Sequence, residues 1–112
     1  MTPTPPALPI TKDTIASAKV LVVGDAMLDR YWYGNVDRIS PEAPVPVMRV
    51  TRTEERIGAA ANVAFNVVSM GGQASLLSVL GMDDASRKLE ELLSHTGIKS
   101  HFAHDPDLQT TV

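Results

Sequence analysis

The chain of 112 residues contains no cysteine. This absence excludes disulfide bridges, thiolate metal sites and thiol catalysis, and it is compatible with a reducing compartment. The chain also lacks an excess of positive charge, because 10 lysines and arginines stand against 13 acidic residues, for a net charge of -3. We therefore expect neither a nucleic-acid partner nor an anionic membrane surface.

Long apolar runs are missing as well. No segment approaches the roughly 20 apolar residues that cross a bilayer. The N-terminus has no charged start followed by an apolar core, which a secretory signal requires. The sequence therefore predicts no membrane span and no signal peptide, and the expected location is the cytoplasm.

The chain does contain an alternation of strand and helix patterns that is typical of the α/β class. The apolar run Val20–Val23, bounded by Gly24, predicts a strand covered on both faces of a parallel sheet. Right-handed crossovers and helices on the faces of the sheet follow from the order of the elements. The other predicted elements are a helix from a Thr11 cap to about Ala18, a helix over Gly58–Met70, a strand over Ala74–Val79, a helix from an Asp83 cap to about His95, a strand over Lys99–Ala103, a turn at Asp105–Asp107 and the opening of another strand at Thr110–Val112.

The two ends of the chain differ in character. Residues 1–9 are rich in proline and threonine and are interpreted as a flexible leader, which leaves 10–112 as part of one domain. The chain is short for a complete α/β enzyme and ends on β-branched residues, so we expect it to be the N-terminal part of a larger protein. A parallel sheet without its later strands would expose an open edge and uncovered faces.

The stretch from about 31 to 53 predicts a small β-sheet lid. Its β-branched and aromatic residues favour extended segments, and its dense prolines exclude a central strand. Three of the five aromatic residues stand together here, at Tyr31, Trp32 and Tyr33. They could serve a ligand or a partner, or they could pack the lid onto its own domain.

A candidate site follows the first predicted strand. Asp25 and Asp29 come where a buried strand reaches the surface, and ligands of α/β sheets collect at the carboxyl ends of strands. Asn62 lies in the first turn of the next helix, close to Gly58. A carboxylate and an amide together suit neighbouring sugar hydroxyls, which both donate and accept hydrogen bonds. The alternative is that these residues only form turns and caps.

Three segments carry a family resemblance: Val22–Gly34, Arg38–Val47 and Glu54–Ala64. They look like the opening of a ribokinase-type (PfkB) sugar kinase, and within that family they most resemble the subgroup that phosphorylates heptose 7-phosphate. The resemblance runs from about Val20 to Val112. It implies a ribokinase-like α/β fold, with a parallel sheet, helices on its faces and a small β-sheet lid.

The resemblance also implies roles for individual residues. Asp29 matches the aspartate that binds sugar hydroxyls, and Gly58 and Asn62 match the glycine-asparagine motif on the substrate side. Ala59 stands where this subgroup is expected to have a second glycine, and its Cβ restricts positive φ and close approach of the backbone. The lid would close over the sugar and form a homodimer contact.

The implied reaction is transfer of the γ-phosphate of ATP to the anomeric hydroxyl of a heptose 7-phosphate, a step toward ADP-heptose and lipopolysaccharide core. ATP and Mg²⁺ serve the complete enzyme. In this family the ATP site and the catalytic aspartate lie in the C-terminal portion. We therefore assign no catalytic, cofactor-binding or metal-binding residue here, and we expect the fragment alone to be inactive.

Three arginines stand near these motifs. Arg30, Arg38 and Arg56 could each pair with the substrate's 7-phosphate through a bidentate contact, and Arg38 is kept among the candidate substrate-binding residues with Asp29 and Asn62. Exposed arginines, however, often do no more than solvate a face.

Two other functions remain open. The fragment could be a non-catalytic oligomerisation or binding module, because the strand edges of the lid could pair across a two-fold axis. It could also belong to another sugar or nucleoside kinase of the ribokinase family.

Overall fold

The computed structural model describes residues 9–39 and 46–112, which form two sheets and three helices. No helix in these residues has the length and apolar character needed to cross a membrane. Apart from residue 9, the predicted leader lies outside the described residues. The elements are α1 (Lys12–Ser17), β1 (Lys19–Val23), β2 (Ala26–Ile39), β3 (Pro46–Ala59), α2 (Ala60–Ser69), β4 (Gln73–Leu80), α3 (Asp84–Leu93) and β5 (Lys99–His104).

The first sheet is parallel and has the strand order β1-β4-β5. Parallel neighbours need a crossover connection, and α2 and α3 lie in the connections that lead to β4 and β5. Both helices with polar N-caps start where predicted, because Thr11 and Asp83 each form a capping box. The predicted α/β class is therefore confirmed.

The core lies on one face of this sheet. Alternate residues of β4 point into it, and Leu76 and Leu80 are almost completely buried. The alanines of α2 bring that helix close to the sheet, and Leu89 and Leu93 form the buried stripe of α3. The buried cluster consists of Ala26, Ala61, Ala64, Ala74, Leu76, Leu80, Leu89, Leu93 and Ile98.

The opposite face of the sheet is open. Leu21 and Val23 are 62% and 67% exposed, and Leu77 and Val79 beside them are also exposed. The prediction that β1 is covered on both faces is therefore wrong for the described residues, because the buried cluster occupies only the other face. The expectation of an uncovered sheet face is confirmed.

The second sheet is a long antiparallel ribbon of β2 and β3, each 14 residues long. The extended segments predicted between 31 and 53 are the outer parts of these strands, which begin pairing at Ala26 and Ala59. Irregularities in the register follow Tyr33 and Val36. The proline-rich connection at 40–45 lies outside the described residues, and the function of the ribbon as a lid stays a prediction.

The segment after β5 contradicts one prediction. Thr110–Val112 does not form a strand. Instead, the buried Thr110 accepts the Gly81 N–H at its hydroxyl (2.9 Å) and donates its own N–H to the Asp83 carboxylate (2.8 Å). These bonds fix the segment to the β4–α3 turn, so its backbone does not enter the parallel sheet.

The Asp83 anchor predicts acid sensitivity. Hydrogen bonds from the Thr110 and Ser86 N–H groups lower the pKa of Asp83 from 3.8 to about 2. Because the folded pKa is lower than the unfolded one, this stabilisation is complete above about pH 4 and is lost as the pH falls toward 2. We expect Asp83→Asn to lower the urea midpoint near neutral pH, and the difference from wild type to shrink between about pH 4 and 2.

Urea titrations of both proteins across this pH range measure the effect. Asp107→Asn is the matched control, because Asp107 is exposed in the same segment. A difference between wild type and Asp83→Asn that stays constant with pH would contradict the assignment.

Candidate functional site

The sheet and the ribbon meet where β1 ends and α2 begins. Here the Ala60 N–H donates to the Asp25 carbonyl at 2.9 Å, so the start of α2 is bonded to the turn after β1. A Cβ added to Gly24 would lie 3.3 Å from the Cβ of Ala60. The two chain segments therefore approach closely, and this approach brings the predicted site residues into one region.

Asp29 and Gly58 are in direct contact at this junction. A Cβ on Gly58 would lie 2.5 Å from Oδ2 of Asp29 and 2.7 Å from Oδ1. The Asp29 carboxylate thus occupies the space that the missing side chain leaves. Gly58 is buried and Asp29 is half-buried. Glycine at this position is therefore required by the placement of the carboxylate, since any other residue would displace it.

Ala59 adopts a strained backbone conformation. Its φ of 52° and ψ of -127° make it the one non-glycine residue with positive φ in the described residues. This region is normally occupied by glycine, because a Cβ crowds the backbone there. As N-cap of α2, Ala59 provides no side-chain hydrogen bond to the helix. A Cβ therefore stands at a positive-φ position where the resemblance implied a glycine, and its effect on sugar binding stays a prediction.

Asn62 is exposed in the first turn of α2. Its side chain lines a cavity of about 290 Å³ together with Arg56, which is the direct cross-strand neighbour of Asp29. Asp29 itself does not line this cavity. The structure therefore places the Asp29 carboxylate against Gly58, and it places Asn62 and Arg56 on the wall of the same cavity. The roles of these residues in binding remain predictions.

The other two arginines lie elsewhere. Arg30 faces Glu55, with 3.7 Å between the guanidinium and the carboxylate. Arg38 is paired with Val47. It lies nine positions beyond Asp29 on β2, which corresponds to about 30 Å of strand. The side chain of Arg38 lies outside the described residues, and its substrate contact stays a prediction.

Five side chains contact one another on the Asp29 face of the ribbon, and we call them the arginine–tyrosine ladder: Tyr31, Tyr33, Arg52, Glu54 and Arg56. Sequence reasoning had singled out Tyr31, Tyr33 and Arg56 separately, but it missed Arg52, Glu54 and the contacts that join the set. Arg52 stacks on the Tyr33 ring at 4.1 Å, and Arg56 stacks on the Tyr31 ring at 4.8 Å. The Arg56 guanidinium and the Tyr33 hydroxyl both donate to Glu54 Oε2, each at 3.0 Å. These bonds lower the pKa of Glu54, with Arg56 as the larger cause.

The signal for this set was that Arg52, Glu54 and Arg56 are charged and stand two positions apart, since a strand places such residues on one face. Tyr31 and Trp32 are 42% and 61% exposed. Of the two interpretations of the aromatic run, the structure favours exposure on the ribbon over packing into the domain.

A third segment reaches the site from the C-terminal side. The Leu28 N–H donates to the Thr111 carbonyl at 3.0 Å, which places Thr111 next to the strand position that precedes Asp29. The buried Ala26 N–H donates to the Ser78 hydroxyl of β4 at 3.0 Å. No local pattern in the sequence indicated these contacts, because they join residues that are far apart in the chain.

Two curated relatives are similar in sequence to most of this chain. The chain is 52% identical over 100 residues to a D-beta-D-heptose 7-phosphate kinase of Bordetella bronchiseptica, covering 89% of this chain and 32% of the relative. It is 57% identical over 93 residues to the bifunctional protein HldE of Methylococcus capsulatus, covering 83% of this chain and 20% of the relative. The chain thus spans a third or less of the length of these relatives.

Solved structures show the same fold. A carbohydrate kinase from Agrobacterium tumefaciens matches with a TM-score of 0.64 and 24% identity, over 82% of this chain and 29% of that one. The aminoimidazole riboside kinase from Salmonella enterica matches with a TM-score of 0.58 and 26% identity, over 82% of this chain and 27% of that one. The model of the pfkB family of carbohydrate kinases matches residues 17–112. The resemblance seen in the sequence is therefore confirmed, and the chain belongs to the pfkB family of carbohydrate kinases.

Proposed function

We propose that this chain is the sugar-binding and lid part of a heptose 7-phosphate kinase. The complete enzyme would transfer the γ-phosphate of ATP to the anomeric hydroxyl of D-glycero-D-manno-heptose 7-phosphate, in ADP-heptose and lipopolysaccharide core synthesis. The observation that carries this proposal is the Asp29 carboxylate, held against Gly58 where the ribbon meets the sheet. The high identity to a heptose 7-phosphate kinase supports the choice of sugar.

The chemistry of the site fits hydroxyl recognition. A half-buried carboxylate accepts hydrogen bonds from hydroxyls and holds them in a fixed geometry. We propose that Asp29 binds sugar hydroxyls, that Gly58 leaves the space in which the Asp29 carboxylate lies, and that Ala59 borders the sugar at the start of α2. We also propose that Asn62 adds an amide contact from α2. None of these residues is proposed as the catalytic base.

The phosphate donor side is proposed to lie outside this chain. The described residues hold no group of three or more histidine or acidic side chains placed to bind a metal ion. We assign these residues no step that depends on Mg²⁺ or ATP. We expect no phosphoryl transfer by these 112 residues alone. The reaction of the complete enzyme is proposed to take place in the cytoplasm.

Sugar binding tests the proposal directly. We expect isothermal titration calorimetry to show saturable binding of heptose 7-phosphate to this chain. Asp29→Asn should weaken it by about 10- to 100-fold, because the amide replaces one accepting oxygen and removes the charge. Asp13→Asn, in the exposed helix α1, is the matched control and should bind like wild type. Equal affinity in Asp29→Asn and wild type would contradict the role of Asp29.

The ribbon also favours a second proposal, a homodimer contact. Tyr31 and Trp32 are exposed on strands of a two-stranded sheet, whose edges have no further strand partner in the described residues. Sedimentation velocity should show a dimer that Trp32→Ser weakens. A strict monomer at high concentration would contradict this proposal and leave sugar binding unaffected.

A further inference from the structure

The arginine–tyrosine ladder places two guanidinium groups on the Asp29 face of the ribbon. Directly opposed residues in an antiparallel pair share a face, and the opposed pairs here are Asp29 with Arg56 and Tyr33 with Arg52. Both guanidinium groups stack on tyrosine rings. Stacking limits the motion of these side chains, so the cationic groups are held in place before any ligand arrives.

The Arg56 guanidinium keeps donors for a ligand. A guanidinium has five N–H donors, and the contact with Glu54 uses an N–H of one terminal nitrogen. The Arg56 side chain is 54% exposed, so its remaining donors are accessible to an anion. Glu54 holds the guanidinium in position without enclosing it.

The structure shows which of the candidate arginines lies on the same face of the ribbon as Asp29, a question that the sequence alone left open. Arg30 lies one position from Asp29 on β2, so its side chain projects from the opposite face of the ribbon, where it pairs with Glu55. Arg56 lies on the same face as Asp29 and directly across from it. Arg56 can therefore act on the same ligand as Asp29, and Arg30 cannot.

The direction of the Arg56 side chain indicates how a sugar held by Asp29 would lie along the ribbon. Its guanidinium lies over Tyr31 and bonds to Glu54, and both residues are further from the sheet than Asp29 is. Cross-strand neighbours have Cβ atoms about 5 Å apart, and same-face neighbours along a strand are about 7 Å apart. A sugar whose hydroxyls bind Asp29 would thus direct a terminal substituent along the ribbon, toward Arg56 and Arg52.

We propose that Arg56, with Arg52 beyond it, binds the phosphate monoester of the phosphosugar whose hydroxyls Asp29 holds. This inference rests on the proposed function. It makes the ladder the element that selects a phosphorylated sugar over the free sugar. A planar guanidinium matches the oxygens of a phosphate in a bidentate arrangement, which a hydroxyl cannot offer.

The experiment compares two ligands and three variants by calorimetry. The ligands are heptose 7-phosphate and the same heptose without its phosphate. We expect Arg56→Gln to weaken binding of the phosphosugar about 10- to 100-fold and to leave binding of the free heptose within about twofold. Arg56→Lys keeps the charge without the bidentate geometry and should give an intermediate loss. Arg30→Gln is the matched control and should bind both ligands like wild type.

A second measurement separates this proposal from the proposed function. The chain is titrated with inorganic phosphate while NMR follows the arginine Nε–H signals. Shifts at Arg52 and Arg56, absent at Arg30, would support the anion site even if no heptose bound. Absence of such shifts would overturn the proposal. An equal loss of both heptose ligands in Arg56→Gln would also overturn it, because Arg56 would then only support the ribbon.

Discussion

Gly58→Ala should displace the Asp29 carboxylate and destabilise the chain. The added Cβ would lie 2.5 Å from Oδ2, well inside van der Waals contact, so the carboxylate must leave its position. Overpacking of this kind costs about 1–3 kcal/mol. We expect a loss of stability in this range in urea unfolding, together with loss of heptose 7-phosphate binding.

A double mutant tests whether the clash with Asp29 causes the instability expected of Gly58→Ala. The three atoms nearest to the added Cβ all belong to the Asp29 carboxyl group, so Asp29→Ala removes the clash. In the Asp29→Ala background, Gly58→Ala should therefore cost much less stability than in wild type. Gly58 does not have a positive φ, so the clash and not backbone strain accounts for the expected loss. Gly71→Ala shows the contrasting case of strain without a clash, because Gly71 has a φ of 98° and no neighbouring atom within 4 Å of an added Cβ. Additive effects of Gly58→Ala and Asp29→Ala would show that the two positions are not in contact.

Ala59→Gly should stabilise the chain. The backbone of Ala59 is held at φ 52° and ψ -127°, a conformation that costs a residue with a Cβ about 1–3 kcal/mol. Glycine removes this strain and loses about 0.5–1 kcal/mol through its more flexible unfolded state. We expect a net gain of about 1 kcal/mol, which corresponds to a rise in Tm of about 4–8 °C for a domain of about this size.

Thermal unfolding followed by circular dichroism measures this gain. Ala60→Gly is the matched control, because Ala60 is the adjacent residue and begins α2. It should lower Tm, since glycine disfavours helix. If Ala59→Gly also lowered Tm, the backbone at this position would not be strained.

Much of the local structure could be predicted because it depends on short-range chemistry. Thr11 and Asp83 cap the helices that follow them through side-chain bonds to the backbone three residues later. The alternation of burial along β4 follows from the two-residue repeat of a strand. The prediction failed where the structure of a segment depends on residues far away in the chain. Thr110–Val112 was predicted as a strand, but Thr110 bonds to Gly81 and Asp83 instead.

By itself, the sequence determined the class of the fold, the order of its elements as far as β5, and the family, because these depend on periodicity, caps and motifs that are local in the chain. Only the tertiary structure decided which side chains meet. The contact of Asp29 with Gly58 and the position of Arg56 opposite Asp29 both depend on the register of the ribbon. A shift of one residue in that register would turn each side chain to the other face, and the pattern of residues along one strand does not fix it.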